Sequence, residues 1–367
     1  MSAPMLRVLH VFGRLLRGGA ELRTVELAES FQGERVQSDF LVLSGLDGPL
    51  DERVRAAGGD VIKCRLDAGF PTRLYRLLRE RQYDVIHSHV HYFSGVILTI
   101  AHLAGTPGRV AHFQTTIRND KEDTVWRRAQ LATCRRLLEL SATDLLAVGE
   151  GAMHGAWSPQ WQLDPRCRVV YSGIPPERLR VPVHMPTAPV ITNVGSIQPL
   201  KNQLRLIRVL RRCLHAVPNL TLRLVGREIG DYGQQIRRAA ADAGLSERVE
   251  LVGEVDDAIP WMARSNLMIL PSLWEGLPGA ALEACALGIP VLAADLPGTR
   301  ELASYFPHLS LMSLDQDDEA WAAAVVGLIQ RARPAAAAQE CFAASPFTLA
   351  RTRENHYEVW SRVRASA

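Results

Sequence analysis

Two carboxylates in the stretch 271–284 are the first candidates for chemistry. Glu275 and Glu283 stand in this stretch with seven residues between them. The continuous apolar run 267–270 before them predicts a buried parallel strand, and the segment 280–287 predicts a helix. We therefore expect Glu275 in a strand-to-helix loop and Glu283 about one turn into the helix. In an open α/β sheet such a loop lies at the carboxyl ends of the strands, where ligands bind.

Backbone amides of the same stretch favour a phosphate-containing ligand. The N–H groups of Leu277, Gly279 and Ala280 are expected to face the same space as the two carboxylates. Unpaired N–H groups at a helix start attract anions, whereas carboxylates accept hydrogen bonds from hydroxyl groups. Together they suit a ligand that is both phosphate and sugar. A simpler interpretation stays open, because the helix dipole alone favours acidic residues at a helix start.

Two further segments could approach a phosphate. Gly18 and Gly19 stand at a predicted strand-to-helix turn, where glycine allows close backbone approach, although glycine pairs also form ordinary tight turns. In the segment 194–203, Gly195 ends a predicted strand and Lys201 stands at a helix start. The ammonium group of Lys201 could neutralise a diphosphate as a point charge, or it could be a solvated surface group.

Histidines follow one predicted strand. His87, His89 and His91 alternate, so they share a face while the strand lasts. Histidine is the commonest metal ligand, but no Asp, Glu or Cys lies at ligand spacing nearby and the chain is expected to bend after His89. We expect one histidine to contact a ligand and the others to be structural. His112 and Gln114 share a face of the next strand, and either point into a ligand cleft or cover an edge of the core.

Two charged segments are interpreted as helix features. Asp315 and Asp317 form an Asp-x-Asp pair of a kind that binds metals, but the run that follows predicts a capped helix start instead. A predicted helix over 124–139 carries Trp126 among paired arginines. Basic amphipathic helices can lie on anionic membranes, and a solvated helix face is the alternative.

Alternating strand and helix patterns position these candidates. Repeated βα units with short connections predict parallel sheets covered by helices. Five prolines between residues 174 and 189 separate two such series and indicate a linker. Strands are predicted at 6–12, 39–44, 60–64, 84–88, 109–114, 144–148 and 168–171, then at 190–194, 220–225, 249–252, 267–270, 290–294 and 309–312. Helices are predicted from about 19 to 31, near 50–58, 71–81, 93–104, 124–139 and 150–157, then at 201–216, 231–243, 257–264, 279–287, 317–331 and 347–364.

Length and composition limit the function classes. The chain has 367 residues, which suits two domains of about 180 residues each. Its hydrophobic fraction of 47% and charged fraction of 22% are typical of a soluble globular protein. A net charge of +3 argues against a dedicated nucleic-acid binder. With no apolar run of membrane-spanning length, no signal-peptide pattern and no paired cysteine spacing, a cytoplasmic protein with reduced thiols is expected.

Taken together, these segments resemble the retaining glycosyltransferases of family 4 (GT4), which have the GT-B fold. Trp-Glu-Gly-Leu-Pro-(x)4-Glu-Ala, with Glu275 and Glu283, is similar to the family's E-x7-E signature. Gly-Gly-Ala-Glu at 18–21 is similar to its first-strand loop, and Val-Gly and Lys-Asn within 194–202 to its phosphate-binding segment. The stretches 84–95 and 142–152 resemble the exopolysaccharide or capsule branch.

The resemblance implies an α/β architecture of two Rossmann-like parallel-sheet domains that face each other across a cleft. Residues 1–183 would form the acceptor domain and residues 184–345 the nucleotide-sugar donor domain. Residues 346–367 would be a C-terminal helix that packs back on the N-terminal domain.

The resemblance also implies a site and a reaction. Glu283 would accept hydrogen bonds from ribose hydroxyls, Lys201 would face the diphosphate, and backbone near Val255 would contact the nucleobase. The donor-binding residues would be Gly18, Gly19, Ser196, Lys201, Arg227, Val255, Glu275, Gly276, Leu277, Pro278, Gly279 and Glu283. The catalytic residues would be Glu275, His112, Gln114 and Lys201. A hexose would pass from a nucleoside diphosphate sugar, most simply UDP-hexose, to a saccharide or lipid-linked acceptor with retention, without a metal or other cofactor. A peripheral contact with the inner face of the membrane would fit the basic helix.

Two positions depart from the family pattern. Ser196 stands where the family usually has arginine, so Arg227 or Arg300 would have to supply the missing charge. Gln114 stands where the family often has histidine, and His112 lies two residues earlier. These departures motivate a second hypothesis, a sugar-nucleotide-binding homologue with weak catalysis.

Overall fold

A computed structural model describes residues 5–115, 124–182, 186–331 and 335–365. The chain divides into two compact units, Met1–Gly173 together with Pro346–Ala367, and Ile174–Ser345. Each unit contains one parallel sheet with helices, so the prediction of two Rossmann-like α/β domains is confirmed. Within the described residues, no helix has the length and apolar character needed to cross a membrane.

The first unit contains a seven-stranded parallel sheet in the order β3-β2-β1-β4-β5-β6-β7. Its strands are β1 Leu6–Phe12, β2 Val36–Val42, β3 Val61–Lys63, β4 Val85–Ser88, β5 Gly108–Phe113, β6 Asp144–Ala147 and β7 Cys167–Val169. Its helices are α1 Gly19–Ser30, α2 Asp51–Ala56, α3 Phe70–Arg81, α4 Ser94–Leu103, α5 Val125–Ser141, α6 Glu150–Ala156 and α14 Leu349–Ala365. The strand order reverses between β1 and β4, and such a reversal is where ligands bind in open α/β sheets.

The second unit contains a six-stranded parallel sheet in the order β10-β9-β8-β11-β12-β13, with its reversal between β8 and β11. Its strands are β8 Val190–Val194, β9 Thr221–Val225, β10 Val249–Gly253, β11 Leu267–Leu270, β12 Val291–Ala294 and β13 Leu309–Met312. Its helices are α7 Gln203–Cys213, α8 Tyr232–Asp242, α9 Ile259–Ala263, α10 Gly279–Ala286, α11 Pro297–Ala303, α12 Asp318–Ile329 and α13 Ala335–Ala344.

The strand that leads to the paired carboxylates behaves as its sequence predicts. All four residues of β11 are buried, because helices cover a parallel sheet on both faces. Helix α10 follows the loop and ends before Gly288, whose positive φ of 68° terminates the helix without steric strain. At the start of α12, the Asp317 carboxylate accepts a hydrogen bond from the Ala320 amide at 2.8 Å, as predicted for a helix cap.

Two features differ from the expected pattern, and the cysteines do not. Residues 335–344 form the helix α13, although only an alanine-rich segment is evident in the sequence. Helix α7 begins at Gln203 rather than at residue 201, because Pro199–Lys201 is a short 3₁₀ helix and Asn202 adopts a left-handed conformation with φ of 56°. All six cysteines lie in described positions and none forms a disulfide.

The proline-rich segment belongs largely to the second unit. The predicted boundary between residues 183 and 184 falls in 183–185, outside the described residues. In the structure the boundary between the two units lies earlier, after Gly173. Ile174 is buried, and Arg178 forms ion pairs with other residues of the second unit. Helix α14 is part of the first unit, where Trp360 is fully buried beside Phe31.

Candidate functional site

The loops that follow β8 and β11 meet at the strand-order reversal of the second unit. The amide of Leu273 donates to the carbonyl of Leu200 at 2.9 Å, and Asn202 Nδ2 donates to the carbonyl of Pro271 at 3.1 Å. These bonds hold the 195–202 loop against the 271–278 loop. The sequence places Lys201 in the first loop and Glu275 in the second, and the topology brings both to the position expected for a ligand.

Lys201 and Glu275 form an ion pair in this position. Lys201 Nζ lies 2.6 Å from Glu275 Oε1, and the side chains are 20% and 9% exposed. A pair this sheltered from water interacts more strongly than a surface pair, because less solvent screens the two charges. Lys201 is therefore not the freely solvated surface lysine that the alternative interpretation allowed.

Close backbone packing shapes both loops. A Cβ atom at Gly226 would lie 2.0 Å from the carbonyl oxygen of Gly195, and one at Gly298 would lie 1.5 Å from that of Gly276. Neither distance is sterically possible, so only glycine permits these approaches. The Lys201 stem also passes beside Gly195, since a Cβ there would lie 3.5 Å from Lys201 Cε. Gly226, just after β9, and Gly298, in α11, thus allow the close backbone packing of the two loops.

Glu283 lies on α10 and is engaged by an arginine. Its Oε1 accepts a hydrogen bond from Arg178 Nη1 at 3.1 Å, and Arg178 Nη2 donates to Asp257 Oδ1 at 2.6 Å. Glu283 is one turn into the helix, as predicted, and its side chain is 10% exposed. Val255 is half-buried in the segment between β10 and α9 that also carries Asp257.

Arg227 and Arg300, the candidates to replace the arginine usually found at position 196, lie in different segments. Ser196 Oγ accepts a hydrogen bond from Gln198 Nε2 at 2.6 Å, and the carbonyl of Arg227 accepts from the Ile197 amide at 2.9 Å. Arg227 therefore lies beside the Ser196 loop, with an exposed side chain. Arg300 lies on α11 and pairs with Asp295 at 2.5 Å, and Gly298 of the same helix packs against the Gly276 carbonyl. Each arginine therefore belongs to a segment that contacts one of the two loops.

The remaining predicted donor residues complete the 271–278 loop and the helix that follows it. Gly276 and Leu277 are half-buried in this loop, Pro278 is the N-terminal cap position of α10, and Gly279 is the first helical residue. The amides at this helix start are therefore on the same loop as Glu275. In the first unit, Gly18 is the cap position of α1 and Gly19 its first residue.

A cluster of five histidines lies at the strand-order reversal of the first unit. This histidine cluster consists of His10, His87, His89, His112 and His356. The rings of His87 and His89 stack with centroids 4.5 Å apart, and β1 and β4 align His10 with His87. The sequence alone indicates the proximity of His87 and His89, which alternate in one segment. It does not indicate that His10 of β1 and His356 of α14 lie beside them. His91 turns away after the strand, with a φ of 52°.

Hydrogen bonds determine which nitrogens carry protons. Trp360 Nε1, which can only donate, contacts His87 Nδ1 at 3.2 Å, so the proton of neutral His87 is on Nε2. That Nε2 donates to His112 Nδ1 at 3.2 Å. In the same way, Gln114 Nε2 donates to His89 Nδ1 at 3.1 Å, and His89 Nε2 then donates to His10 Nδ1 at 3.3 Å. The predicted residues His112 and Gln114 therefore belong to two short chains of imidazoles.

Burial keeps these rings uncharged. Removal from water lowers the pKa of His10 to about 3, with a further contribution from His356, and lowers the pKa of His356 to about 4. The pKa values of His87, His89 and His112 are also well below the usual range, first through burial and then through neighbouring histidines. His112 is 2% exposed, so its ring lies inside the first unit rather than on its surface.

The histidine cluster fits hydrogen bonding better than metal coordination. Two triplets in the described part of the chain, His10-His87-His89 and His87-His112-His356, have nitrogens within 4.8 Å of one another. Both need His87, whose Nδ1 lone pair accepts from Trp360 and whose Nε2 carries the proton. A metal ligand must offer a free lone pair, so His87 cannot serve while the Trp360 bond is intact. The His87-His89-His91 site considered from sequence fails for the additional reason that His91 turns away.

Models of two glycosyltransferase families match the chain. The model for "Glycosyltransferase Family 4" matches residues 17–178, and the model for "Glycosyl transferases group 1" matches residues 188–331. The two matches together span most of the sequence. The chain belongs to glycosyltransferase family 4. The resemblance identified from the E-x7-E segment and the glycine and lysine loops is therefore confirmed.

Individual relatives of this GT4 chain align over most of its length. Capsular polysaccharide biosynthesis glycosyltransferase CapH of Staphylococcus aureus is 28% identical over 89% of this chain and 92% of its own. The UDP-Gal:alpha-D-GlcNAc-diphosphoundecaprenol alpha-1,3-galactosyltransferase of Escherichia coli is 26% identical over 80% of both chains. The crystal structure of Anabaena HepE with UDP and glucose covers 97% of this chain and 100% of its own at a TM-score of 0.81 and 19% identity. This likeness shows the shared GT-B fold.

Proposed function

We propose that this GT4 protein transfers a hexose from UDP-hexose to a saccharide or lipid-linked acceptor with retention of configuration. The observation that carries the proposal is the Lys201–Glu275 pair at the strand-order reversal of the second unit, with a separation of 2.6 Å. The names of the relatives support the substrate classes: one acts in capsular polysaccharide synthesis, and one uses UDP-galactose and a lipid diphosphate acceptor. HepE, of the same fold, binds UDP and glucose.

The second unit offers a group for each part of such a donor. Lys201 would bind the diphosphate as a cation, and the α10 amides would add dipolar stabilisation of the same charge. When the phosphate takes over Lys201, the carboxylate of Glu275 becomes available to the hydroxyls of the transferred sugar. Glu283 would accept hydrogen bonds from the ribose, and backbone near Val255 would contact the base. Arg227 would supply part of the charge that Ser196 lacks.

The proposed reaction needs neither a metal nor another cofactor. As the bond between the sugar and the phosphate breaks, negative charge develops on the leaving diphosphate, where Lys201 and the amides stabilise it. The acceptor hydroxyl attacks from the same face, and its proton passes to the leaving phosphate. In the first unit, Gln114, oriented by its bond to His89, would contact the transferred sugar. His112 would act through the ring network that fixes these groups, since its own ring is buried.

A second candidate is a sugar-nucleotide-binding homologue with weak catalysis. Ser196 and Gln114 favour it, because each replaces a charged or titratable group with a neutral one. Tight binding of a sugar nucleotide without turnover on a broad acceptor panel would support this candidate over the enzyme.

Membrane contact remains a prediction that the basic helix only partly supports. On α5, Trp126 is exposed, but Arg135 donates to the Trp157 carbonyl at 2.7 Å and lies over the Trp157 ring. Arg136 pairs with Glu139. These two arginines are thus engaged by other parts of the first unit.

The function is tested by binding followed by turnover. UDP-hexoses are expected to raise the melting temperature more than sugar nucleotides with other bases, because a ligand that binds only the folded state stabilises it. Glu275→Ala and Lys201→Ala are each expected to reduce turnover about 100-fold or more. Lys63→Ala, at an exposed lysine in the first unit, is the matched control and should leave turnover unchanged. Near-wild-type turnover in both site variants would contradict the assignment.

A further inference from the structure

Arg178 links the two segments that are proposed to hold the nucleoside. Asp257 lies in the segment that carries Val255, and Glu283 lies on α10. Arg178 comes from a third place in the chain, the 3₁₀ helix Pro176–Leu179, and donates to both carboxylates at 2.6 and 3.1 Å. Asp257 in turn accepts from the Ile259 amide at 3.1 Å, so its carboxylate is itself fixed.

The arrangement uses a property that only arginine has. A guanidinium group is planar and holds several N–H donors in a rigid fork, so one side chain can orient two carboxylates at once. The Arg178 side chain is 18% exposed and that of Glu283 10% exposed, so solvent screens this contact weakly. Without Arg178, the sheltered carboxylate of Glu283 would lose a counter-ion and a hydrogen-bond donor that orients it. The acceptor oxygens would then no longer be held in position.

We propose that Arg178 is a positioning residue for the nucleoside half of the donor: it holds the Glu283 carboxylate in the orientation that accepts ribose hydroxyls and ties it to the base-side segment through Asp257. This inference rests on the proposed function, since it assumes that the second unit binds a nucleotide. On this proposal the donor site has two halves, each held in place by its own ion pairs. Arg178 organises the nucleoside side, and the Lys201–Glu275 pair organises the phosphate and sugar side.

A purely structural role for Arg178 makes a different prediction. If the arginine only anchors the 3₁₀ helix to the second unit, its removal lowers stability and weakens every nucleotide to a similar degree. If it positions Glu283 for the ribose, its removal weakens only those ligands that have ribose hydroxyls. The two roles are therefore separated by ligand chemistry rather than by the size of the effect.

The experiment measures the dissociation constants of UDP and 2′,3′-dideoxy-UDP by calorimetry for the full chain. Because hydrogen bonds to charged groups are strong, wild-type protein should bind UDP about 10- to 100-fold more tightly than the dideoxy compound. Arg178→Ala should weaken UDP about tenfold or more and dideoxy-UDP less than about threefold, so the preference for ribose falls. Glu283→Gln should lower the same preference, and the double variant should add little to either single change.

Two further variants keep the test decisive. If Arg178→Ala melts below the assay temperature, Arg178→Lys retains the charge but not the fork and should give an intermediate preference. Arg208→Ala, which breaks the Arg208–Asp318 pair elsewhere in the same unit, should change neither dissociation constant. An unchanged ribose preference in folded Arg178→Ala and Arg178→Lys overturns this inference alone. Wild-type protein that binds no uridine nucleotide would overturn the proposed function and this inference with it.

Discussion

The two units build the same kind of sheet but line its strand-order reversal with opposite chemistry. In the first unit the reversal between β1 and β4 is occupied by four buried imidazoles, the half-buried ring of His89 and the Trp360 indole. In the second unit the reversal between β8 and β11 is occupied by the Lys201–Glu275 ion pair, and the same unit contains the Arg178–Glu283 pair. The side chains of the first arrangement are uncharged. The second consists of charged side chains that are paired with one another.

This difference shows that fold position selects where a site lies, whereas the residue types select what it binds. In the proposed function, the neutral histidine cluster orients a hydroxyl-bearing sugar through Gln114 without attracting phosphate. The diphosphate instead goes to the second unit, where Lys201 is held by Glu275 of the loop that leads into α10. Variants that disrupt the histidine cluster should therefore affect the first unit, and variants that break the ion pairs should affect the second.

The largest effect is expected from the aromatic side chain that completes the histidine cluster. Trp360→Ala should lower the free energy of unfolding by about 3–5 kcal/mol, because Trp360 is fully buried and its loss leaves a cavity. Trp360→Phe keeps a ring but loses the donor to His87, and should cost less. Urea unfolding measures both. Trp321→Phe in the second unit, also fully buried with its N–H on the Ser313 carbonyl, is the control; an equal loss there would mean that the bond to His87 has no special weight.

Breaking the ion pair of the second unit should have the next largest effect on stability. Lys201→Met should cost about 2 kcal/mol because it leaves the sheltered Glu275 carboxylate without its partner, and adding Glu275→Gln should restore much of the loss. Lys63→Met is the control. Its partner Asp47 lies at the same 2.6 Å, but the two side chains are 42% and 74% exposed. That change should cost less than about 0.5 kcal/mol in the same unfolding assay. Equal losses for Lys201 and Lys63 would contradict the distinction between sheltered and solvated pairs.

Loop packing can be tested at a glycine. Gly298→Ala forces the Gly276 carbonyl to move and should reduce turnover about tenfold, equivalent to about 1.4 kcal/mol of transition-state stabilisation. Gly327→Ala on α12 has open space around its Cβ position and should stabilise the helix by about 1 kcal/mol without changing turnover. Steady-state kinetics and melting temperatures together separate the two outcomes. Wild-type turnover in Gly298→Ala would mean that the 271–278 loop tolerates displacement.

The smallest expected effect is the pH dependence contributed by one histidine. The folded pKa of His356 is lowered to about 4, below its unfolded value of 6.5. Its contribution to stability is therefore complete above pH 6.5 and is lost as the pH falls towards 4, because the unfolded state binds the proton first. Between pH 6.5 and 5.5 this group should cost about 1 kcal/mol of unfolding free energy. His356→Leu should reduce the loss of unfolding free energy between these two pH values by that amount, as measured by urea unfolding at each pH.

The second-unit site was predictable where local sequence determines it. The apolar run before residue 271 and the helix-forming segment after residue 279 place Glu275 in a loop and Glu283 on a helix, as the structure has them. Arg178 was not predictable, because it lies in a proline-rich segment that indicated a linker and its partners are 79 and 105 residues away. Nor does alternation in one strand show that His10 and His356 join His87, since that depends on strand order and on the path of α14.

The sequence also overstates the accessibility of His112. A histidine near a strand end next to a polar loop could face a ligand, but its ring is instead the acceptor of the His87 bond inside the first unit. Gln114, one step beyond the strand, is the half-buried member of that pair of candidates and contacts His89. His112 is therefore a core residue, whereas Gln114, two residues later, lies at the boundary of the core.

The path of the chain also sets the order in which the protein can be completed during synthesis. The Gly173 amide donates to Thr352 Oγ1, and Thr352 in turn donates to the Tyr171 carbonyl, both at 2.8 Å, so residues 171–173 are bonded to α14. The ribosome delivers β1 to β7 before α14, with the whole second unit between them. Until α14 has been synthesised, the histidines and apolar side chains that Trp360 covers in the folded first unit stay open to solvent and to chaperones.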